Sequence, residues 1–127
     1  MVSSLKVMVV EDDETVLEEL RDTIESAGHT VLALTTAESA LSSFLDWSPD
    51  FVVTDINLPG LGGGDFARFA AKANGRVSFI LISGSSSSIE VEGARPDAVH
   101  LTALVKPFKP RDLVSLFGEV DGEAEPT

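Results

Sequence analysis

The chain has 127 residues, which suits one domain and leaves too little sequence for a second. Its 9 basic and 21 acidic residues give a net charge of −12, which disfavours direct binding to nucleic acid or to anionic membranes. The absence of Cys excludes disulfides, thiolate metal sites and thiol nucleophiles, and the short apolar runs exclude a membrane span, so a cytoplasmic protein is expected.

Five short apolar runs, bounded by polar residues or Gly, are typical of strands buried on both faces of a sheet. In chain order they are residues 7–10, 31–34, 51–53, 77–82 and the weaker 101–105. Most of them are separated by segments with helical spacing. The alternation predicts an α/β fold, a doubly wound five-stranded parallel sheet with helices on both faces.

The first two helices carry recognisable start signals. The first is predicted over about residues 14–27, with Asp13 as its N-cap. The second is predicted to begin at a capping box formed by Thr35 and Glu38, and to end near Ser48.

The remaining helices are less regular. Phe66 and Phe69 have the spacing of a third helix that closes at Asn74, and both are expected in the core. The stretch from 85 to 96, with its serines, Gly and Pro, predicts a short and mobile fourth helix. Pro110 begins the last one.

The domain is predicted to cover residues 1–120, followed by an acidic disordered tail at 121–127. His29 and His100 are isolated, and each is expected in a loop or at the surface rather than as a ligand.

Acidic and polar residues follow the predicted strands at the sheet edge where open α/β folds bind ligands. They are Glu11, Asp12 and Asp13 after the first strand, Asp55 and Asn57 after the third, Ser83 after the fourth and Lys106 after the fifth. Carboxylates that converge at one edge repel one another and require a nearby cation. Oxygen ligands without Cys or a neighbouring His favour Mg²⁺, with Lys106 as the second cation.

This set of residues resembles the receiver domain of bacterial two-component response regulators, the CheY-like family. The resemblance covers about residues 5–118 and rests on residues 9–13, Asp55, residues 57–61 with Gly63, Ser83 and residues 106–108. It implies a sheet with strand order 2-1-3-4-5.

The resemblance also implies roles for individual residues. Asp55 would accept a phosphoryl group from a histidine kinase or a histidine phosphotransfer protein, and would also contact Mg²⁺. Asp12 resembles the direct Mg²⁺ carboxylate, Glu11 the acid that acts through water, and Asn57 the residue whose backbone carbonyl binds the ion.

Two further residues of the resemblance, Ser83 and Lys106, would contact the phosphoryl group itself. The implied function is a stand-alone phosphoacceptor that signals by phosphorylation-dependent binding to a downstream protein. Its autophosphorylation and autodephosphorylation would be self-limited, unlike the multiple turnover of an enzyme.

Several positions depart from the family pattern. Gly62, where an acidic or polar residue is usual, begins a run of three glycines that is expected to loosen the loop after Asp55. Ser83 replaces the commoner Thr, and Ala103 replaces an aromatic residue that swings inward on activation. The Ala103 change indicates an unusual output mechanism.

Two other functions fit parts of the pattern. A Mg²⁺-dependent phosphohydrolase of the haloacid dehalogenase type would use Asp55 as its nucleophile, but Asn57 stands where such enzymes carry a second aspartate. A flavodoxin-like FMN carrier would use residues 83–88 as a phosphate loop, but the chain has no Tyr and a single Trp.

Overall fold

Strands and helices alternate along residues 4–74, 76–84 and 100–121, which are the residues described by the computed structural model. The strands are β1 Lys6–Val10, β2 Thr30–Leu34, β3 Phe51–Asp55, β4 Ser78–Ser83 and β5 His100–Val105. The helices are α1 Glu14–Ser26, α2 Ala37–Trp47, α3 Gly63–Ala73 and α4 Pro110–Asp121.

All five strands are parallel and lie in the order β2-β1-β3-β4-β5, which confirms the predicted fold class and strand order. The register aligns the strand ends. Val10 pairs with Thr54, Asp55 with Ile82, and Ser83 with Val105. The residues that end or follow β1, β3, β4 and β5 therefore lie side by side at one edge of the sheet.

Two buried clusters, one on each face of the sheet, hold the helices in place. Along β1, Val7 and Val9 pack with α1 and α4, whereas Met8 and Val10 pack with α2 and α3. Successive side chains of a strand point to opposite faces, so a continuous apolar run serves both clusters. This explains why the central strands have no polar face.

The start of α2 differs from the prediction by one residue. Its N-cap is Thr36, whose hydroxyl oxygen accepts a hydrogen bond from the Ser39 N–H at 3.0 Å. The predicted capping box of Thr35 and Glu38 is therefore wrong. Two adjacent threonines offered the same chemistry, and only the chain path from β2 decides between them.

Phe69 is also placed differently from the prediction, since it is 51% exposed. The buried stripe of α3 runs through Phe66, Ala67 and Ala70. With 100° of rotation per residue, Phe69 falls to one side of this stripe although its distance from Phe66 is one helical turn. The small alanines, and not a second ring, fill the space between α3 and the sheet.

The predicted fourth helix, residues 85–96, lies outside the described residues. At the carboxyl end of the chain, α4 extends through Asp121, the first residue of the predicted tail, and residues 122–127 lie outside the description. No helix within the described ranges is long and apolar enough to cross a membrane.

His29 lies in the loop between α1 and β2, as predicted, but it is buried and not at the surface. Its Nδ1 accepts a hydrogen bond from the Leu5 N–H at 3.0 Å, and its ring meets that of Phe117 edge to face at 5.2 Å. Burial lowers the pKa of the His29 imidazole from its ordinary value of 6.5. The neutral ring is therefore a structural element between β1 and α4.

This environment predicts that His29 destabilises the fold under acidic conditions. The unfolded chain binds the proton more tightly than the folded one, so the contribution of His29 is full above pH 6.5 and is lost as the pH falls. In His29→Asn the Asn oxygen can accept the Leu5 N–H without titrating. Lowering the pH from about 7.5 to about 5.5 should then reduce the free energy of unfolding more in the wild type than in the variant. Equal reductions in urea denaturation experiments would contradict this role.

Candidate functional site

The carboxyl edge of the sheet brings together residues from four separate elements. Asp55 ends β3 and Ser83 ends β4, while Glu11 and Lys106 directly follow β1 and β5. The strand register brings these residues together. Val10, just before Glu11, pairs with Thr54, just before Asp55. Asp55 pairs with Ile82, just before Ser83, and Ser83 pairs with Val105, just before Lys106. The predicted site residues on these strands are thus neighbours in space.

Asp55 is held by a different partner at each of its carboxylate oxygens. Its Oδ1 accepts a hydrogen bond from the Asn57 N–H at 2.8 Å, and its Oδ2 lies 3.3 Å from Lys106 Nζ. The residue is 8% exposed, so little solvent competes for these oxygens. The carboxylate is therefore oriented by the main chain and neutralised in part by one ammonium group.

Glu11 is the second buried carboxyl group at this edge. Its Oε2 accepts a hydrogen bond from the Asp13 N–H at 3.0 Å, while Oε1 is buried without a hydrogen-bond partner among the described residues. The pKa of Glu11 is raised from 4.5 to about 7, chiefly because the carboxyl group is buried; the Asp55 carboxylate also raises it, whereas the Asp13 N–H and Lys106 lower it. Among the described residues, Lys106 is the cation that lies near the pair Glu11 and Asp55.

Asp13 caps α1, as predicted. Its Oδ1 accepts hydrogen bonds from the Thr15 and Val16 N–H groups at 2.9 and 3.3 Å. Asp12 is exposed and makes no hydrogen bond or ion pair with any residue that the structure describes. Within those residues, no three His, Asp or Glu side chains form a group that could hold a metal ion.

Ser83 and Lys106 are joined through the main chain. The Lys106 N–H donates to the Ser83 carbonyl oxygen at 2.8 Å, which continues the pairing of β4 with β5 beyond the last strand residue. Ser83 is 1% exposed, whereas the Lys106 side chain is 39% exposed. The Lys106–Pro107 peptide bond is cis. The backbone hydrogen bond to Ser83 holds the main chain of Lys106 at the sheet edge where its ammonium group reaches Asp55.

The loop from β3 to α3 ends at a glycine, Gly63, whose close packing was not predicted. A Cβ on Gly63 would lie 2.2 Å from the Asp55 carbonyl oxygen, and the Gly63 N–H donates to the Ile56 oxygen at 3.2 Å. The expectation that the glycines only loosen the loop is therefore wrong at this position. Gly63 allows the start of α3 to approach the backbone of Asp55, and its presence in the family motif was the available signal.

This close approach predicts a strong difference between two adjacent glycines. In Gly63→Ala the methyl group meets backbone atoms that can move only by displacing Asp55, so we expect a loss of about 1–3 kcal/mol in the free energy of unfolding. In Gly62→Ala the nearest contact is an ordinary 3.7 Å from the Ile56 oxygen, so a change below about 0.5 kcal/mol is expected. Urea denaturation of both variants measures the difference. Equal stabilities would contradict the packing of α3 on Asp55.

Comparison with known proteins agrees with the resemblance to response regulator receiver domains. Residues 7–117 match the response regulator receiver domain family. The chain is 31% identical over 126 residues to the response regulator protein FleR of Pseudomonas aeruginosa, covering 94% of this chain and 26% of FleR. It is 34% identical over 112 residues to the virulence sensor protein BvgS of Bordetella pertussis, covering 84% of this chain and 9% of BvgS. The chain thus spans about a quarter or less of these two relatives.

Solved structures show the same fold. A CheY-like response regulator receiver domain protein from Methanospirillum hungatei superposes with a TM-score of 0.80 and 25% identity, covering 95% of this chain and 96% of that one. The chemotaxis protein CheY4 of Vibrio cholerae superposes with a TM-score of 0.79 at 21% identity, covering 93% and 99% of the two chains. With the family match over residues 7–117, this shows that the chain belongs to the response regulator receiver domain family and has the CheY-like fold.

Proposed function

We propose that this receiver domain accepts a phosphoryl group on Asp55 in a Mg²⁺-dependent reaction and signals by changing its affinity for a protein partner. The observation that carries the proposal is the buried Asp55 carboxylate, which the Asn57 N–H orients and which lies 3.3 Å from Lys106 Nζ. The phosphoryl donor is a histidine kinase or a histidine phosphotransfer protein, consistent with the similarity to a response regulator and a sensor protein.

The chemistry follows from charge and position. An oxygen of Asp55 attacks phosphorus, the bond from phosphorus to the donor nitrogen breaks, and the protein is left with an acyl phosphate. A carboxylate is a weak nucleophile towards an anionic phosphoryl group, so the reaction needs alignment and neutralisation of charge. The Asn57 N–H supplies alignment, and the Lys106 ammonium group supplies part of the neutralisation.

The residues around Asp55 suit Mg²⁺ as the second source of positive charge. Glu11 offers a buried oxygen without a partner among the described residues, and its pKa is raised to about 7 chiefly by burial, so a bound cation would stabilise its ionised form. Asp12 adds an exposed carboxylate beside it, and the Asn57 carbonyl adds a neutral oxygen. Mg²⁺ commonly uses one or two carboxylates and keeps several waters, so a cluster of three acidic side chains is not required. When bound, the ion would neutralise the oxygens of the transferring phosphoryl group.

Ser83 and Lys106 would respond to the new phosphoryl group. Both lie at the ends of adjacent strands, joined by the Ser83 carbonyl and the Lys106 N–H. The acyl phosphate adds negative charge and acceptor oxygens that a hydroxyl and an ammonium group can bind. Ala103 lies on β5 opposite Leu81 and has no ring, so the rotation of an aromatic side chain at that position cannot report phosphorylation. An alternative route for the response is a rearrangement of residues 84–98, of which the structure describes only Gly84.

No described feature favours the phosphohydrolase or the FMN carrier. The residue two positions after Asp55 is Asn57, whose side chain is exposed and whose N–H already contacts Asp55. The haloacid dehalogenase pattern needs an aspartate there.

The first prediction of the proposal concerns the acceptor. Asp55→Asn should abolish labelling by radioactive acetyl phosphate in Mg²⁺, because the amide cannot form the acyl phosphate. EDTA should abolish labelling of the wild type. Asp46→Asn, which alters an exposed aspartate of α2, serves as the control and should be labelled normally. Persistent labelling of Asp55→Asn would assign the acceptor to another residue.

The second prediction concerns Mg²⁺ binding. A ligand that binds only the folded state stabilises it by about 2.7 kcal/mol at a hundredfold excess over Kd, so Mg²⁺ should raise the melting temperature of the wild type. Asp12→Ala should lose most of this rise. Because Asp12 is exposed, the metal-free stability of the variant should stay within about 0.5 kcal/mol of the wild type. A full Mg²⁺ response in Asp12→Ala would remove Asp12 from the ligand set.

A further inference from the structure

A side chain from α2 holds the middle of the loop between β3 and α3. Glu38 lies in the first turn of α2, and its Oε2 accepts a hydrogen bond from the Leu61 N–H at 3.0 Å. Thr36 caps α2 by bonding to Ser39, so the Glu38 carboxylate is not used to cap its own helix. Among the described residues this is the one side-chain hydrogen bond from α2 to the loop.

The backbone of the loop is shaped to fit this contact. Gly60 has φ of +72°, a conformation that other L-residues rarely adopt, and a Cβ there would lie 2.7 Å from Glu38 Oε2. The glycine therefore lets the loop approach the carboxylate closely enough for the next residue, Leu61, to donate its N–H. Gly60 and Glu38, which is 22 residues earlier in the chain, are thus both needed for the hydrogen bond between Glu38 and Leu61.

The same loop carries groups of the phosphoacceptor site. At its start, the Asn57 N–H donates to Asp55 Oδ1 at 2.8 Å. At its end, the Gly63 N–H donates to the Ile56 oxygen at 3.2 Å, and the N-cap Gly62 has no side chain with which to cap α3. Glycine makes a chain more flexible, so an external anchor is needed if the segment is to stay in one conformation.

We propose that Glu38 is a positioning residue for the chemistry at Asp55. Its carboxylate fixes the loop at Leu61, so that Asn57 keeps its N–H on Asp55 and its carbonyl at the edge where Mg²⁺ would bind. The inference rests on the proposed function and deepens it, because it connects α2, which supplies none of the predicted ligands, to the geometry of the acceptor.

Three variants separate the hydrogen bond from the charge. Glu38→Ala removes both, Glu38→Gln keeps an oxygen that can accept the Leu61 N–H, and Asp46→Ala removes a charge from the same helix at an exposed position. Amide hydrogen exchange at Leu61 and Asn57, the Kd for Mg²⁺ from NMR titration, and the rate of labelling by acetyl phosphate are measured for each.

In Glu38→Ala, exchange should be faster at both Leu61 and Asn57. Mg²⁺ affinity and labelling rate should fall about three- to tenfold, the factor associated with one ordinary hydrogen bond. Glu38→Gln should retain most of the wild-type values, and Asp46→Ala should retain all of them. The proposal is overturned if only Leu61 exchange changes in Glu38→Ala while Asn57 exchange and Mg²⁺ affinity stay at wild-type values. An equal loss in Glu38→Ala and Glu38→Gln also overturns it, because the effect would then be one of charge.

A double-variant cycle tests the contact itself. Gly60→Ala in the wild type places a methyl group against the Glu38 carboxylate, whereas in Glu38→Ala only the strain of the positive φ remains. Gly60→Ala should therefore reduce Mg²⁺ affinity more in the wild type than in Glu38→Ala, and equal reductions would refute the contact. If the proposed function itself is wrong, the wild type will not be labelled at Asp55. Amide exchange at Asn57 would still show whether Glu38 positions the loop.

Discussion

The central constraint on this domain is that two carboxyl groups, Glu11 and Asp55, are buried side by side, and that the described residues place a single ammonium group, that of Lys106, next to them. Glu11 is 3% exposed and Asp55 8%, and Lys106 reaches only one oxygen of the pair. An unpaired buried charge is costly, and the pKa of Glu11, raised to about 7 mainly by burial, expresses that cost. Burying both carboxyl groups therefore reduces the stability of the fold, and such destabilising arrangements are typical of functional sites.

The rest of the architecture can be understood as support for that pair. The parallel register brings the ends of β1, β3, β4 and β5 to one edge, and two apolar clusters hold the strands from both faces. Asp13 caps α1 while its N–H binds Glu11, so the helix start and the acidic site share one turn of chain. Gly63 allows α3 to begin against the backbone of Asp55. These contacts fix the main chain around Asp55, and the Asn57 N–H and Lys106 then orient its two carboxylate oxygens.

The features of the fold that can be predicted from the sequence are those encoded locally or by strand order. Apolar runs predict the strands, alternation predicts the parallel sheet, and the residues at the strand ends then converge without further information. The errors arise where local chemistry is degenerate. Thr35 and Thr36 are equally good caps, so the choice depends on the path of the chain from β2. Phe69 has helical spacing to Phe66 but lies on the other side of the helix from Ala67.

Contacts between distant parts of the chain are the second class that sequence reasoning could not reach. No local pattern connects Glu38 with Leu61 or His29 with Leu5, because each pair meets only after the sheet has formed. Local sequence explained Glu38 as a capping-box residue and His29 as a loop residue. A polar residue that satisfies a local rule can therefore still have its functional contact elsewhere.

Ala103 of β5 has no ring that could rotate to report the proposed phosphorylation of Asp55. In the proposed function, new phosphoryl oxygens appear beside Lys106, whose N–H is bonded to the Ser83 carbonyl. That hydrogen bond, 2.8 Å long, extends the pairing of β4 with β5 by one step, so the backbones of the two residues lie side by side. Such a bond can transmit a change of position without a large side chain to rotate, because it couples two backbone segments directly. With the proposed function, β5, the edge strand next to β4, is therefore the element in which we expect a response to phosphorylation of Asp55.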